Sequence, residues 1–182
     1  MTALCLILLA LLVLFVWRPG FAFRHQKPAF YADTAPQFDI RKHLSGDMIS
    51  EGIIYGPRGQ VVSRFTADFR GAWDGESGTL AEDFTYATGA TQQRKWFLTM
   101  GEGGHFTATA SDIIGEGQGV QIGATVRLTY RIKLSDAGGG HVLDVVDWMY
   151  LMENGSILNR SEMRKFGVKV AELIASIRPK GA

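Results

Sequence analysis

The chain opens on an apolar run unlike anything that follows it. Every residue from Ala3 to Trp17 is apolar, and Arg18 is the first charged residue. A run of about fifteen apolar residues is typical of a signal-peptide core and is short for a bilayer span. The apolar residues 21–23 extend the run beyond Arg18, which favours an anchor that stays in the membrane. We therefore expect residues 1–23 to be an uncleaved signal anchor, with a cleaved signal peptide as the alternative.

A short linking region follows the apolar run. Residues 24–37 are predicted to form a tether, because prolines and mixed polarity interrupt any regular pattern there. Next, Phe38, Ile40 and Leu44 lie at near-helical spacing, which predicts one short helical turn that a Ser-Gly pair ends. We therefore expect the folded domain to occupy residues 38–182.

From residue 47 onward, the pattern changes to alternating apolar and polar positions between glycine-rich turns. This pattern predicts nine β-strands, and Asn154-Gly155 is a strong signal for a two-residue hairpin between the last two. The predicted strands span residues 47–55, 60–73, 79–86, 91–100, 105–111, 115–122, 125–134, 141–151 and 156–163. The final segment, residues 166–177, fits either a helix or a further strand.

The connections between these strands decide the fold class. They are too short for helical crossovers, so a parallel sheet is excluded and consecutive strands are expected to pair antiparallel. A long antiparallel meander leaves two exposed edges unless it closes on itself. The sequence therefore predicts a single all-β domain, an antiparallel meander closed into a β-barrel, and closure favours a strand for the final segment.

Composition and charge argue against several kinds of partner, metal site and catalytic site. The chain has 19 Lys and Arg residues against 18 Asp and Glu, a balance that argues against a nucleic-acid partner. Cys5, within the apolar run, is the only cysteine, so the folded domain has no disulfide and no thiolate ligand. The four histidines are isolated, and no serine has the neighbours of a hydrolase triad. We therefore expect no metal, no cofactor and no catalytic residue of a familiar type.

The first candidate cluster lies on the last predicted hairpin. Strand alternation separates Asp147 from Trp148, and the hairpin brings Asn159 and Arg160 near this pair. An acid, an amide and a guanidinium together can orient the polar group of a ligand in an apolar cavity. The alternative is a structural ion pair that ties neighbouring strands together.

The second candidate cluster combines charge with aromatic residues. Glu82 shares a strand face with Phe84, and Arg94 shares one with Trp96, while Trp73 lies in the preceding strand. An isolated buried charge is costly, so Glu82 and Arg94 are predicted to pair across the turn at residue 89. This pair is either a headgroup site for a carboxylate or phosphate, or a structural salt bridge.

Several short motifs resemble a bacterial protein family known as domain of unknown function 3833. The motifs are residues 71–75 (GAWDG), 82–86 (EDFTY), 93–96 (QRKW), 147–151 (DWMYL), 159–160 (NR) and 165–167 (KFG). The resemblance covers roughly residues 38–178. It implies a short envelope protein, commonly a lipoprotein, with a lipocalin-like barrel of the calycin type exposed to the periplasm, and it implies no reaction. No cysteine follows the apolar run here, so the helix itself is expected to replace a lipid anchor.

Three functions fit these features. The first is a membrane-anchored periplasmic lipocalin-like protein that binds a hydrophobic or lipid-like ligand. Its predicted ligand-binding residues are Trp73, Glu82, Phe84, Arg94, Trp96, Asp147, Trp148, Asn159 and Arg160. The alternatives are an enzyme that acts on a lipid-like substrate with Asp147 or Glu82 as acid–base group, and a structural or assembly factor of the envelope. The positive-inside rule on its own would place the domain in the cytoplasm instead, since basic residues only follow the apolar run.

Overall fold

Ten antiparallel strands close into a barrel, each hydrogen-bonded to its neighbours in sequence. The computed structural model describes residues 2–17, 22–135 and 138–181. The strands are β1 Gly46–Tyr55, β2 Val61–Asp74, β3 Ser77–Tyr86, β4 Thr91–Met100, β5 His105–Thr109, β6 Gly117–Ile122, β7 Thr125–Lys133, β8 Val142–Leu151, β9 Ile157–Lys165 and β10 Val168–Pro179. The predicted antiparallel barrel is confirmed.

The C-terminal segment resolves the ambiguity left by its sequence. It forms β10, which pairs with β9 on one side and with β1 on the other, from Met48 opposite Pro179 to Tyr55 opposite Glu172. A helix there would leave the edges of β1 and β9 unpaired, and each unpaired edge exposes a row of backbone donors and acceptors. Barrel closure therefore outweighs the local helix preference of the segment.

The interior follows from period-two alternation along each strand. In β2, Phe65, Ala67 and Phe69 are buried, while Thr66 and Asp68 between them are exposed. Successive side chains of a strand point to opposite faces, so one face fills the barrel and the other meets solvent. The same alternation holds in β4, where Trp96, Leu98 and Met100 are buried and Phe97 and Thr99 are exposed.

A plug closes one end of the barrel. Helix α2 (Ile40–His43) begins at Asp39, whose carboxylate accepts a hydrogen bond from the backbone N–H of Arg41 at 3.0 Å. Ile40 is only 1 % exposed, and Leu44, directly after the helix, is also buried. A Cβ at Gly71 would lie 2.0 Å from the carbonyl oxygen of Leu44, so glycine permits this close approach.

The segment predicted as a tether packs against the outside of the barrel. It contains two short 3-10 helices, Phe23–His25 and Pro28–Tyr31. The Tyr31 ring lies 5.2 Å from the Trp148 ring, centroid to centroid. The hydroxyl of Thr34 accepts a hydrogen bond from the backbone N–H of Ala124 at 2.9 Å. The segment therefore covers apolar surface as well as linking the apolar run to the domain.

The apolar run forms helix α1 (Thr2–Trp17). Its leucine side chains, from Leu4 to Leu14, are exposed. Within the described parts of the chain, no helix is both long and apolar enough to cross a membrane. The residues predicted to end the run, Arg18 to Gly20, lie outside the described residues.

Candidate ligand-binding cavity

The barrel encloses a cavity of about 400 Å³. It extends from Ile40 and Leu44 at the plugged end to Leu134 and Gly138, in the connection between β7 and β8. Most of its walls are aromatic and aliphatic side chains. The principal apolar wall residues are Phe65, Phe69, Leu80, Phe84, Trp96, Leu98, Phe106 and Leu128. The volume lies within the range of about 300–1,000 Å³ that is usual for small-molecule sites.

A charged cluster interrupts the apolar wall on the side of β3 and β4. The strand register places Glu82 directly opposite Arg94, with 3.8 Å between Oε2 and Nη1, so the predicted cross-strand pair is present. Arg94 binds Asp112 more closely, through Nη2 at 2.7 Å and Nε at 3.0 Å from Oδ2. The side chains of Arg94, Glu82 and Asp112 are 14 %, 9 % and 23 % exposed. This guanidinium is therefore shared unequally between two carboxyl groups.

A second polar cluster lines the cavity from β8 and β9. Asp147 pairs in register with Ser161, whose hydroxyl donates a hydrogen bond to Asp147 Oδ1 at 2.8 Å. The amide of Asn159 donates to the same oxygen and to the carbonyl oxygen of Trp148. Two neutral donors thus hold the Asp147 carboxyl group, and no described cation forms a salt bridge with it.

Burial changes the protonation of this interior. Desolvation raises the pKa of Glu82 from 4.5 to about 7, although Arg94 opposes the rise. Desolvation also raises the pKa of Asp147, against the hydrogen bonds from Ser161 and Asn159. The pKa of Tyr130, which lies in the same interior, is raised as well by burial and by nearby carboxylates. Proton uptake by Glu82 and Asp147 therefore relieves the crowding of negative charge in the cavity.

Six of the nine predicted site residues line this cavity. They are Glu82, Phe84, Arg94, Trp96, Asp147 and Asn159. Trp73 lies at the plugged end instead, where its indole N–H donates to the carbonyl oxygen of Leu44 at 3.0 Å. Its role is to hold the plug rather than to line the cavity.

Contrary to the prediction, Trp148 and Arg160 lie on the outer surface of the barrel. They are register partners one position out of phase with the inward residues Asp147 and Asn159. Trp148 is 0 % exposed because the N-terminal segment covers it. The Arg160 guanidinium binds Glu172 at 2.7 Å and lies 4.3 Å from the ring centroid of Phe23. Both residues contact the N-terminal segment, through Tyr31 and Phe23.

Sequence reasoning missed several polar cavity residues, among them Asp112, Tyr130 and Ser161. Ser161 shares the inward parity of Asn159, so strand alternation could have identified it. Tyr130 lies against Trp96 with 5.3 Å between ring centroids, a contact between β4 and β7 that only barrel curvature creates. Asp112 lies in an irregular connection, where alternation gives no signal. The described residues contain no group of three or more His, Cys, Asp or Glu side chains that fits a metal ion.

Three solved structures have the same fold as this barrel. The S-type phycobiliprotein lyase CPES from Guillardia theta is 11 % identical, with a TM-score of 0.60, over 86 % of this chain and 99 % of that one. The protein Rv2717c from M. tuberculosis is 14 % identical, with a TM-score of 0.56, over 81 % and 99 %. A protein of unknown function from the DUF3598 family of Nostoc punctiforme is 10 % identical, with a TM-score of 0.56, over 80 % and 51 %. These likenesses establish a lipocalin-like, calycin-type barrel and nothing about its ligand.

The sequence comparison is more specific about relationship. No curated protein matches the chain. The model of the family described as "Protein of unknown function (DUF3833)" matches residues 20–179. The chain therefore belongs to this family, as its motifs predicted.

Proposed function

We propose that this member of the DUF3833 family binds an elongated hydrophobic ligand inside its barrel. The observation that carries the proposal is the cavity of about 400 Å³, whose apolar walls are interrupted by two polar clusters. Apolar walls supply affinity by burying hydrophobic surface, while a few convergent polar groups orient the ligand. A filled barrel would instead favour a purely structural role. The fold shared with a phycobiliprotein lyase is consistent with ligand binding.

We propose further that the barrel works at a membrane, on the periplasmic side. Helix α1 supports attachment because its exposed side chains are almost all aliphatic. The basic residues Arg24 and Lys27 after the helix oppose this orientation. A topology reporter fused after Ala182 tests it. Reporter activity confined to the periplasm is the expected result, and activity confined to the cytoplasm would overturn the orientation.

A pair of neighbouring substitutions tests ligand binding. Leu173 lines the cavity, whereas the next residue of β10, Ile174, faces outward and is partly exposed. We expect Leu173→Trp to fill the cavity and to weaken binding of the neutral fluorescent probe N-phenyl-1-naphthylamine at least tenfold. Ile174→Trp adds the same bulk outside the barrel and should leave the probe affinity unchanged.

Native mass spectrometry of the gently extracted protein supplies the second readout. We expect a hydrophobic molecule to remain bound to the wild type and to Ile174→Trp, but not to Leu173→Trp. A wild-type protein that carries no such molecule and gives no probe fluorescence would refute the proposal. Equal probe affinity in both tryptophan variants would place the binding site outside the barrel.

An acid–base enzyme acting on a lipid-like substrate is the second candidate. It is favoured by the burial of Glu82 inside the cavity, where desolvation raises the pKa of this carboxyl group to about 7. A carboxyl group with a pKa near the working pH can both accept and donate a proton. Such an enzyme would show a rate that changes with pH around 7 and is lost in Glu82→Gln. A ligand recovered chemically unchanged after prolonged incubation would favour the binding protein.

A further inference from the structure

We infer that the ligand carries a hydrogen-bond-donating cation, such as a primary ammonium group, at the polar side of the cavity. The inference rests on the proposed function and specifies the chemical class of its ligand. It departs from the carboxylate or phosphate headgroup that the sequence suggested for the Glu82–Arg94 pair.

The first argument for a cationic ligand is the charge balance of the cavity. Its lining contains three carboxyl groups, Glu82, Asp112 and Asp147, and two cations, Arg94 and Lys133. Lys133 is exposed at the end of β7, so Arg94 is the only cation among the described residues in the buried part of the cavity. With every group ionised, three negative charges face one buried positive charge. A bound anion would add to this excess of negative charge, and a bound cation would reduce it.

The second argument, for a ligand that donates hydrogen bonds, is the pattern of hydrogen bonds around the carboxyl groups of the cavity. Arg94 uses two of its nitrogen atoms, Nε and Nη2, on Asp112 Oδ2. Asp112 Oδ1 is buried and has no hydrogen-bond partner in the part of the chain that the structure describes. Asn159 and Ser161 both donate to Oδ1 of Asp147 rather than one to each oxygen. The Asp112 side of the cavity therefore has a buried acceptor without a partner, and two nitrogen atoms of Arg94 are already engaged by the other oxygen of the same carboxyl group.

A buried acceptor without a partner costs free energy that a ligand donor can recover. The cost of leaving such a group unsatisfied is about 1–3 kcal/mol. An ammonium group has three donors and no acceptor, which matches a surplus of carboxyl oxygens. A carboxylate ligand has only acceptors and would compete with Asp112 for Arg94.

The cation should also change the protonation of the cavity. The groups that face Glu82 are Arg94, Asp112, Asp147, Tyr86 and Tyr130. Near pH 7, Glu82 is partly protonated in the empty barrel. An ammonium group nearby favours the ionised carboxylate, so cation binding should release a proton from the protein. The affinity for the cation should therefore increase as the pH rises from 6 to 8.

Three ligands with one chain length separate the contributions. Decylamine, decanol and decanoate each contain ten carbon atoms, the carboxyl carbon of decanoate included, and differ mainly in the charge and hydrogen bonding of the headgroup. Each is titrated against wild-type protein carrying N-phenyl-1-naphthylamine, at pH 6 and pH 8. We expect decylamine to displace the probe at pH 8 at a concentration at least tenfold below that of decanoate, with decanol between them. Calorimetry in two buffers of different ionisation enthalpy measures the expected proton release.

Two matched variants test whether Glu82 is responsible for the preference for decylamine and for proton release. Glu82→Gln removes the buried carboxyl group, and Asp83→Asn removes a carboxyl group from the next residue, which is exposed and accepts a hydrogen bond from Gln93 at 2.7 Å. We expect Glu82→Gln to reduce the preference for decylamine over decanol at least fivefold and to reduce proton release. Asp83→Asn should retain both and should bind the neutral probe with wild-type affinity.

The outcomes separate this inference from the proposed function. If decanoate binds more tightly than decylamine, or if all three ligands bind alike, the inference is wrong although the barrel still binds hydrophobic molecules. If a quaternary decyltrimethylammonium ion binds as tightly as decylamine, charge alone is recognised, and the requirement for hydrogen-bond donors is wrong. If not even the neutral probe binds, the proposed function itself fails.

Discussion

Strand connections border both ends of this barrel, yet among the described residues only one end is filled by a helix. At the closed end, α2 inserts Ile40 among the core residues, and Trp73 holds the carbonyl oxygen of Leu44. At the other end, the cavity reaches the connection between β7 and β8, where Lys133 and Ser135 are exposed. The difference comes from a segment that precedes the strands. The short helix therefore fills one end of the barrel, and the cavity extends from it towards the other end.

The largest expected effect comes from breaking the plug. Ile40→Asp places a charge at a position that is 1 % exposed, among the hydrophobic residues of the core. We expect a loss of at least about 4 kcal/mol in the free energy of unfolding, because burial of an unpaired charge is among the most destabilising changes. Urea unfolding measures it. The matched change at the open end, Leu134→Asp, should cost less than about 1 kcal/mol, and equal losses would contradict the contrast between the ends.

A smaller expected effect is a pH dependence of stability, which should arise from a carboxyl group inside the cavity and not from one on the outer surface. Burial raises the folded-state pKa of Glu82 from 4.5 to about 7, so the folded protein retains a proton that the unfolded chain releases. The resulting stabilisation is fully present below pH 4.5 and is lost as the pH rises to about 7. Between pH 5 and pH 8, we expect wild type to lose about 2 kcal/mol more than Glu82→Gln.

The control for this pH dependence is the outward neighbour of Glu82. Asp83→Asn should keep the wild-type difference between pH 5 and pH 8, because Asp83 is exposed. Urea denaturation of all three proteins at both pH values gives the comparison. A Glu82→Gln variant with the same pH dependence as wild type would show that Glu82 is not the group that titrates.

The smallest expected effect is the loss of one hydrogen bond that holds the plug. Trp73→Phe removes the hydrogen bond from the indole N–H to the Leu44 carbonyl oxygen at 3.0 Å and should cost about 1 kcal/mol. Phe166→Ser, in the β9–β10 turn at the opposite end, should change stability by less than about 0.5 kcal/mol because Phe166 is 92 % exposed. Thermal unfolding of both variants distinguishes them. A larger loss in the Phe166 variant would show that the open end also depends on tertiary contacts.

The sequence predicted the barrel well because period-two alternation and glycine turns are local signals. Asn154-Gly155 marks the turn between β8 and β9, where Gly155 has a φ of +81°. The pairing of Glu82 with Arg94 was also accessible, since the two strands are joined by a short turn. Asp112 was not, because its contact with Arg94 bridges an irregular connection and β4.

The outward position of Trp148 shows a different limit of sequence reasoning. A large aromatic residue normally marks the interior, but Trp148 lies on the outer face of the barrel and packs against Tyr31 of the N-terminal segment. Parity separated Trp148 from Asp147 correctly, but it did not say which of the two faced inward. That choice depends on which face the rest of the chain covers.

By itself, the sequence determined the strands, their antiparallel order and the family, because alternation, turn residues and short motifs are properties of neighbouring positions. The tertiary structure decided which face of each strand lines the cavity, how β10 closes the barrel, and which end α2 fills. It also set the pKa of Glu82, because desolvation depends on everything that surrounds a side chain. Such long-range burial is absent from any local pattern, and it is the property on which the proposed ligand site depends.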